Sequence, residues 1–371
     1  MQNGTFEGRT PGCQMISFGR TVAMLGVTTG LCLWLGDAHP ALAKPGQCAP
    51  DVYAAATAPA TKQDPQVDIQ CDLTLKPTDI VTKRIIISGA SASGMTLDCQ
   101  GATLDGSRGT VNFGRPTVLI RSTKRKGGDW SVPSGVTVRN CTIKGALRLQ
   151  GLGTNGQAKE MRLSSLNADH TARAQAAAPS RIALFGLTIV ADGRVPLYIG
   201  PGVTGVRLEK STLAGKSDGP ALYLDAESAR NTISGNRFAV ASKREQIAID
   251  GSAENVITAN RFDDPAGGGI FLYRNCGEGG TIRHQKPQHN TISDNTFAYR
   301  AAFRAKPAVW LNSRNGSRSY CFHDPAHPFG SSLSSLDFAQ FNTVTGNRLV
   351  DGAASLIRNS DPSNVVAGNS Q

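Results

Sequence analysis

The sequence predicts an all-β fold in which short strands wind into the stacked coils of a parallel β-solenoid. Two observations predict it. A short motif built around asparagine recurs along the chain, and each copy is surrounded by runs of Val, Ile, Leu and Thr that Gly, Asn and Asp interrupt. Short strands that recur at a fixed period cannot bury their inner faces alone, so they stack on their neighbours to form a continuous core.

The repeat itself sets the length of one coil. Four copies read Asn-(Thr/Val)-(Ile/Val)-x-x-Asn-x-(Phe/Leu) and a fifth, shorter copy ends the chain; they begin at Asn231, Asn255, Asn290, Asn342 and Asn364. Their spacings of 24, 35, 52 and 22 residues indicate a coil of 22 to 24 residues, with insertions in the second and third intervals. The second asparagines of the four long copies are expected to form a hydrogen-bonded ladder along the axis: Asn236, Asn260, Asn295 and Asn347.

The composition indicates a folded protein with an anionic partner. Of the 371 residues, 39% are hydrophobic and 18% charged, which excludes a disordered chain and a multispan membrane protein. The formal charge of +11 favours nucleic acid, anionic polysaccharide or an anionic membrane. Because the basic residues are scattered and no helix-turn-helix, zinc-finger or aromatic RNA-binding motif occurs, nucleic acid is not the expected partner.

The first 43 residues are interpreted as a signal peptide. Arg9 and Arg20 precede an apolar run over 21–35, and Ala41 to Ala43 form a small-residue cleavage site. The run is too short for a confident membrane span, so we expect a periplasmic or secreted chain with no stable span after cleavage. Residues 44–74 are then expected to form an N-terminal cap. Residues 75–371 are expected to form the solenoid, with insertions at about 155–180, 276–289 and 313–340.

Six cysteines remain after the signal peptide, an even number that favours disulfides in an exported protein. The sequence does not determine their pairing. Pairing between neighbours is the simplest arrangement: Cys48 with Cys71, Cys99 with Cys141, and Cys276 with Cys321. The Cys and His spacing of a zinc site is absent from the sequence.

The NTIxxNxF repeats resemble those of the right-handed parallel β-helix proteins of the pectate lyase-like superfamily, in particular the NosD-like and alginate-epimerase-like repeats. The resemblance covers about residues 75–371. It implies a single-domain right-handed parallel β-helix. It also implies a carbohydrate-active protein, because such helices carry polysaccharide lyases, C5-epimerases and glycoside hydrolases as well as non-catalytic binding proteins. The activity therefore has to be argued from the site.

A line of outward-facing side chains is predicted from the strand that precedes each asparagine segment. These strands read apolar-x-apolar, and because side chains alternate across a strand, the middle residues point outward. The middle residues considered for substrate binding are Arg148, Tyr198, Tyr223, Phe271 and Trp310. The aromatic ones would suit the flat faces of sugar rings, or the insertions would fold over them and make them core.

Two aspartates, Asp225 and Asp250, follow two of these strands directly. Adjacent coils lie about 4.8 Å apart, so the two carboxylates are expected to be neighbours. Three uses remain open: an acid and a base or nucleophile for glycoside cleavage, ligands for Ca²⁺, and turn caps. Asn312 occupies the equivalent position after the strand of Trp310 and is a further candidate for substrate binding.

The insertions supply the other candidate catalytic residues, which are Tyr273, Arg274, Glu278, His284, Lys286, Arg314 and His323. For β-elimination or epimerisation of a uronate, either arginine could pair with the carboxylate while a Tyr, His or Lys moves the proton. For hydrolysis, Glu278 would join the two aspartates. The alternative is that these residues belong to solvated loops. A Cys276–Cys321 bond would hold both loops over one face.

These observations predict an exported monomer that binds an acidic polysaccharide and cleaves or modifies it, as a lyase or an epimerase. One alternative is a glycoside hydrolase that uses the Asp pair on a bacterial exopolysaccharide. The other is a non-catalytic polysaccharide-binding protein or a NosD-like accessory protein. Ca²⁺ is a possible cofactor, at Asp225 and Asp250.

Overall fold

The computed structural model describes residues 45–106, 111, 114–300 and 306–371. The predicted signal peptide lies outside these residues. Within them the chain winds through three parallel sheets, so that one strand of each sheet belongs to each full coil. Strands are numbered β1 to β31 and helices α1 to α4 in chain order.

The first sheet carries the site described below. Its ten described strands, in spatial order, are β1 (Gln66–Asp68), β4 (Arg84–Ser88), β7 (Val118–Arg121), β12 (Leu147–Gln150), β15 (Leu197–Ile199), β18 (Leu222–Leu224), β21 (Ile247–Asp250), β24 (Ile270–Tyr273), β27 (Val309–Leu311) and β30 (Ile357–Arg358). Each strand pairs in parallel with the next, as a right-handed crossover requires in a stacked coil.

The other two sheets close the coil. The second sheet contains β2 (Leu73–Thr74), β5 (Thr96–Asp98), β10 (Thr137–Arg139), β13 (Ala183–Phe185), β16 (Arg207–Glu209), β19 (Thr232–Ser234), β22 (Val256–Thr258), β25 (Thr291–Ser293), β28 (Thr343–Thr345) and β31 (Val365–Ala367). The third contains β3 (Ile80–Val81), β6 (Thr103–Leu104), β11 (Thr142–Lys144), β14 (Thr188–Gly193), β17 (Thr212–Ser217), β20 (Arg237–Ser242), β23 (Arg261–Asp263), β26 (Thr296–Ala298) and β29 (Arg348–Val350).

The coils share one register, which is the property the sequence repeat predicted. Tyr198 pairs with Tyr223, and Phe271 pairs with Trp310, so these middle residues lie on one face of the first sheet. Arg358 of β30 pairs with Trp310 and therefore continues this row. The fold class, a right-handed parallel β-helix, is confirmed.

Two asparagine ladders and a phenylalanine stack run along the axis. In the predicted ladder, Nδ2 of Asn236 donates to Oδ1 of Asn260 at 3.0 Å, and the same bond recurs at each later coil as far as Asn369. A parallel ladder runs from Asn231 to Asn364. The Phe238 and Phe262 rings stack with centroids 4.8 Å apart inside the coil. The repeated side chains therefore satisfy buried turns and fill the core.

The N-terminal coils carry a helix and two disulfides. Helix α1 (Pro50–Thr57) begins with proline at its first position, where the missing N–H costs nothing, and buries Ala56 against the core. The Cys48–Cys71 and Cys99–Cys141 disulfides join neighbouring coils. Strands of the first two sheets already occur within residues 44–74, alongside α1. All three predicted cysteine pairs form.

The insertions leave the same end of the strands of the first sheet. After β7 comes the hairpin of β8 (Thr123–Lys124) and β9 (Trp130–Ser131); after β12 come α2 (Lys159–Ser165) and α3 (His170–Ala176). The insertion after β24 and the one after β27, which holds α4 (Gly330–Leu333), are joined by the Cys276–Cys321 disulfide. Short 3₁₀ turns lie at Ala90–Ala92, Glu278–Gly280 and Ala354–Leu356. Among the described residues, no helix has the length and apolar character needed to cross a membrane.

Candidate functional site

The outward-facing side chains of the first sheet include a row of aromatic rings, and arginine side chains pack over two of them, Tyr198 and Trp310. The Tyr198 and Tyr223 centroids lie 5.7 Å apart, and the Phe271 and Trp310 centroids 5.5 Å. The Cζ atom of Arg148 lies 5.0 Å from the Tyr198 centroid, and that of Arg358 lies 4.9 Å from the Trp310 centroid. The sequence left open whether these rings are an exposed platform or part of the core, and both outcomes are found. Tyr198 is buried, while Phe271 and Trp310 keep part of their surface exposed.

The exposed part of this row forms a basic cleft of about 230 Å³. Phe271 and Trp310 line it together with Tyr273. Five basic side chains and one carboxylate complete the lining: Lys243, Arg244, Lys306, Arg314, Arg318 and Glu245. Aromatic rings surrounded by cations present both an apolar platform and an anion-binding rim.

A buried Glu245–Tyr273–Arg314 cluster forms one wall of the cleft. Although Tyr273 follows Leu272 at the end of β24, its hydroxyl reaches back to the turn before β21 and donates to Oε1 of Glu245 at 2.9 Å. The guanidinium of Arg314 covers the ring, with Cζ 3.4 Å from the centroid. Burial, and then the Glu245 carboxylate, raise the pKa of Tyr273 well above its ordinary value, so the hydroxyl stays protonated at neutral pH.

The predicted neighbours Asp225 and Asp250 are indeed close together, but a buried arginine stands between them. Nη1 of Arg283 lies 2.7 Å from Oδ1 of Asp225 and 3.5 Å from Oδ2 of Asp250. Asp225 is 3% exposed and Asp250 is 0% exposed. The pair therefore belongs to a buried ion cluster under the insertions, in which the two carboxylates share one guanidinium.

The remaining oxygens of the two aspartates are hydrogen-bonded as well. Asp225 accepts from the Tyr198 hydroxyl and from Nδ2 of Asn155 at 2.9 Å. Asp250 accepts from the Tyr223 hydroxyl at 2.5 Å and from Nδ2 of Asn275 at 2.6 Å. With these donors in place, neither carboxylate has an oxygen facing the cleft. A catalytic role for either one stays a prediction.

The described residues do not favour Ca²⁺ at this pair. The guanidinium of Arg283 already supplies the positive charge that a cation would bring. Calcium takes six to eight oxygen ligands, whereas most of the surrounding groups here are hydrogen-bond donors. No group of three or more His, Cys, Asp or Glu able to hold a metal was found in the described part of the chain.

A second buried carboxylate, Glu227, anchors two insertions to the coil. It is 0% exposed and accepts the backbone N–H of His284 at 2.8 Å and that of Gln285 at 3.1 Å. The Thr171 hydroxyl of α3 donates to it as well. Nearby, the backbones of Gly156 and Gly279 touch, since a Cβ on Gly279 would lie 2.2 Å from the Gly156 carbonyl oxygen. The insertions therefore pack against each other as one wall.

Several predicted catalytic residues lie within the packed insertions and do not line the cleft. Arg274 is buried and donates to the carbonyls of Ser334 and Leu336, and burial lowers its pKa to about 10. The others have local partners. Oε2 of Glu278 lies 3.7 Å from Nη2 of Arg283, and the Lys286 ammonium lies over the Phe338 ring. The imidazoles of His284 and His323 hydrogen-bond to the backbone carbonyls of Ser165 and Ser332. Asn312 bonds the backbone of Ala339. Each stays a prediction without support from the cleft geometry.

Three important residues were missed at the level of sequence: Arg283, Glu227 and Glu245. Arg283 lies in an insertion, where no repeat predicts its position. Glu227 has a left-handed φ of 64°, unusual for glutamate and invisible in the sequence. Glu245 lies in a turn before β21, and only the length of the Tyr273 side chain brings the two together. Tyr273, which the sequence did identify as a candidate, lies two residues after Phe271 and so on the same face of the strand by the alternation rule.

Comparison with known proteins supports the fold. Residues 185–318 match the model of a family described as periplasmic copper-binding protein (NosD). No curated protein sequence matches the chain.

Among solved structures, an alginate lyase from a Paenibacillus species is 13% identical over 78% of this chain and 88% of that one, with a TM-score of 0.45. An endo-xylogalacturonan hydrolase from Aspergillus tubingensis is 11% identical over 82% and 80%, with a TM-score of 0.48. A mannuronan C-5 epimerase A-module from Azotobacter vinelandii is 10% identical over 86% and 93%, with a TM-score of 0.35. At these identities the comparisons do not bear on activity.

The described residues do not fit a copper centre of the kind that the family description suggests. Copper favours thiolate, thioether and imidazole ligands. All six described cysteines form disulfides, and the described methionines, Met95 and Met161, are buried in hydrophobic clusters. The three stacked parallel sheets identify the fold as a right-handed parallel β-helix, and residues 185–318 of it are similar to the NosD family.

Proposed function

We propose that this chain binds an acidic polysaccharide in the basic cleft of the first sheet, and that it acts on a bound uronate by removing the proton next to the carboxylate. The observation that supports the proposal is the cleft lining, where two partly exposed rings lie among five cations and one carboxylate. A periplasmic or extracellular location agrees with three disulfides and with the family match.

Binding follows from the two kinds of surface. The apolar face of a sugar ring packs on Trp310 and Phe271, while its carboxylate pairs with guanidinium groups such as Arg314 and Arg318. Arg314 is held in position because it also donates to Oδ1 of Asn275. An arginine fixed in this way loses little entropy when it pairs with a carboxylate.

The chemistry proposed is β-elimination. The C5–H bond breaks and its proton passes through the Tyr273 hydroxyl to Glu245, while the electron pair forms the C4=C5 double bond. The C4–O bond breaks, and the departing oxygen takes a proton from a water molecule. Glu245 later gives its proton to the hydroxide that remains. Tyr273 never becomes a free phenolate in this scheme, which agrees with its raised pKa. In epimerisation the C4–O bond stays intact: the electron pair left by the C5–H bond is delocalised into the carboxylate paired with arginine, and C5 then takes a proton on the opposite face.

A second candidate is binding without turnover. It is favoured by the burial of the proton-transfer groups, since Tyr273 is 0% exposed and Glu245 is 2% exposed beneath Arg314. Turnover needs the Arg314 guanidinium to give up its contact with the Tyr273 ring while it keeps its bond to Asn275 and pairs with the substrate carboxylate. Hydrolysis through Asp225 and Asp250 has less support, because both carboxylates are buried and bonded.

Incubation with alginate, polygalacturonate and mixed bacterial polyuronides separates these cases. Elimination produces an ultraviolet-absorbing unsaturated sugar, epimerisation changes the uronate composition without cleavage, hydrolysis produces reducing ends without the absorbance, and binding alone retains the glycan unchanged. Tyr273→Phe should abolish turnover and keep binding. Tyr299→Phe removes another buried tyrosine hydroxyl, next to the third sheet, and should leave both unchanged. Turnover by Tyr273→Phe at the wild-type rate would refute the proposed chemistry.

A further inference from the structure

A second cavity of about 630 Å³ lies between the β8–β9 hairpin and helices α2 and α3. Its apolar part rests on the small core of the insertion, which contains Leu152, Met161, Ala174 and Ala177. Trp130 packs partly against this core and lines the cavity as well. A partly exposed tryptophan at a concave surface offers a flat apolar face to a ligand.

The polar lining of this cavity differs in charge from the basic cleft. Asp129 and Glu160 contribute two carboxylates, the second of which is paired with Lys124 at 2.9 Å, and Asn167 contributes an amide. Arg173 is the one cation among the lining residues found, and its charge is already paired, because Nε lies 2.7 Å from Oδ1 of Asp169. The lining therefore lacks the excess of cations that a uronate carboxylate would need, whereas sugar hydroxyl groups could donate to the carboxylates and to Oδ1 of Asn167, whose Nδ2 already donates to the carbonyls of Leu163 and Ser164.

The cavity and the cleft both lie beside strands of the first sheet. The hairpin follows β7 and the helices follow β12, while the cleft is formed around β24 and β27. In the order of the first sheet, β24 is five strands from β7. At about 4.8 Å for each strand, the two sites are roughly 24 Å apart along the axis. A single extended glycan can therefore reach both.

We propose that the Trp130 cavity binds an uncharged sugar of the same glycan whose uronates occupy the basic cleft. The substrate is then a mixed polysaccharide that carries acidic and neutral sugars. The link to a single glycan rests on the proposed function, but binding of a neutral sugar at Trp130 does not.

Calorimetric titration of the full chain with trisaccharides tests each site separately. The neutral probes are the trisaccharides of glucose, galactose and mannose, and the acidic probes are those of galacturonate and mannuronate. At least one neutral probe should bind wild type, and Trp130→Ala should weaken it about tenfold or more. Leu163→Trp, which fills the cavity from an exposed position, should do the same without removing Trp130. Leu333→Ala, an exposed apolar residue in α4, should bind like wild type.

The inference is overturned if no neutral trisaccharide binds, or if both cavity variants bind one as tightly as wild type does. The acidic probes report on the cleft in the same experiment. If they fail to bind while a neutral probe depends on Trp130, the proposed function is wrong and the neutral-sugar site stands.

Discussion

Nη1 of Arg283 lies 2.7 Å from Oδ1 of Asp225, and both side chains are almost completely buried. The contact ties an insertion to the first sheet, and the same guanidinium also faces Asp250. Removing the charge of Arg283 would leave two carboxylates without a counter-ion in a region of low dielectric.

Arg283→Met should therefore lower the free energy of unfolding by about 3–5 kcal/mol at neutral pH, as measured by urea denaturation. Arg237→Met removes an exposed partner of Asp263 and should cost about 1 kcal/mol or less. The loss in the free energy of unfolding of the Arg283 variant should be smaller at acidic pH, where a buried aspartate can take up a proton. Equal losses for the two variants would contradict a buried ion cluster.

Trp310→Ala should weaken binding of an acidic oligosaccharide about tenfold, because the variant loses the apolar platform and the ring beneath Arg358. Isothermal titration calorimetry measures the change. Phe341→Ala provides a matched control, since this ring is 53% exposed and stacks on His289 away from the cleft lining. An unchanged affinity for Trp310→Ala would place the glycan elsewhere.

His170 should make stability fall with acidification. Burial lowers the pKa of this imidazole from 6.5 to about 4, although Glu227 lies 4.0 Å away. Between these two pH values the unfolded chain binds a proton that the native chain does not, so the free energy of unfolding declines as pH drops, by about 3 kcal/mol in total. His170→Gln should remove that part of the decline, measured by urea denaturation at pH 7, 5.5 and 4.5.

The control for this pH dependence is His289→Gln, which changes an exposed histidine. Its pH profile should follow that of wild type. If His170→Gln also follows wild type, the imidazole is not buried in its neutral form.

The Cys276–Cys321 disulfide should act locally on the cleft, because it joins the insertion that begins after Tyr273 to the one that carries Arg314. Changing both cysteines to Ser should speed proteolysis within 313–340 and weaken binding of an acidic oligosaccharide. The matched pair Cys48→Ser and Cys71→Ser lies in the N-terminal coils and should lower thermal stability without weakening binding. Equal binding losses in the two double variants would argue against a local role.

The repeat was enough to predict the coil, the outward row and the ladder that begins at Asn236. Asn236 and Asn260 recur at equivalent turns, and equivalent positions in a stacked coil must be neighbours, so their bond followed from spacing alone. The same rule predicted that Asp225 and Asp250 lie together. It did not predict that Arg283 neutralises them, because that residue lies in an insertion outside the repeat.

The sequence by itself therefore determined the fold and the register of the coils. It left the cysteine pairing open, and the structure forms the simplest pairing, that between neighbours. The tertiary structure alone decided which outward residues remain accessible. Trp310 keeps an exposed surface while Asp250 is completely buried, since burial depends on how separate insertions fold back over the sheet. Such contacts join residues far apart in the chain, such as Asn155 with Asp225, and no periodic pattern encodes them.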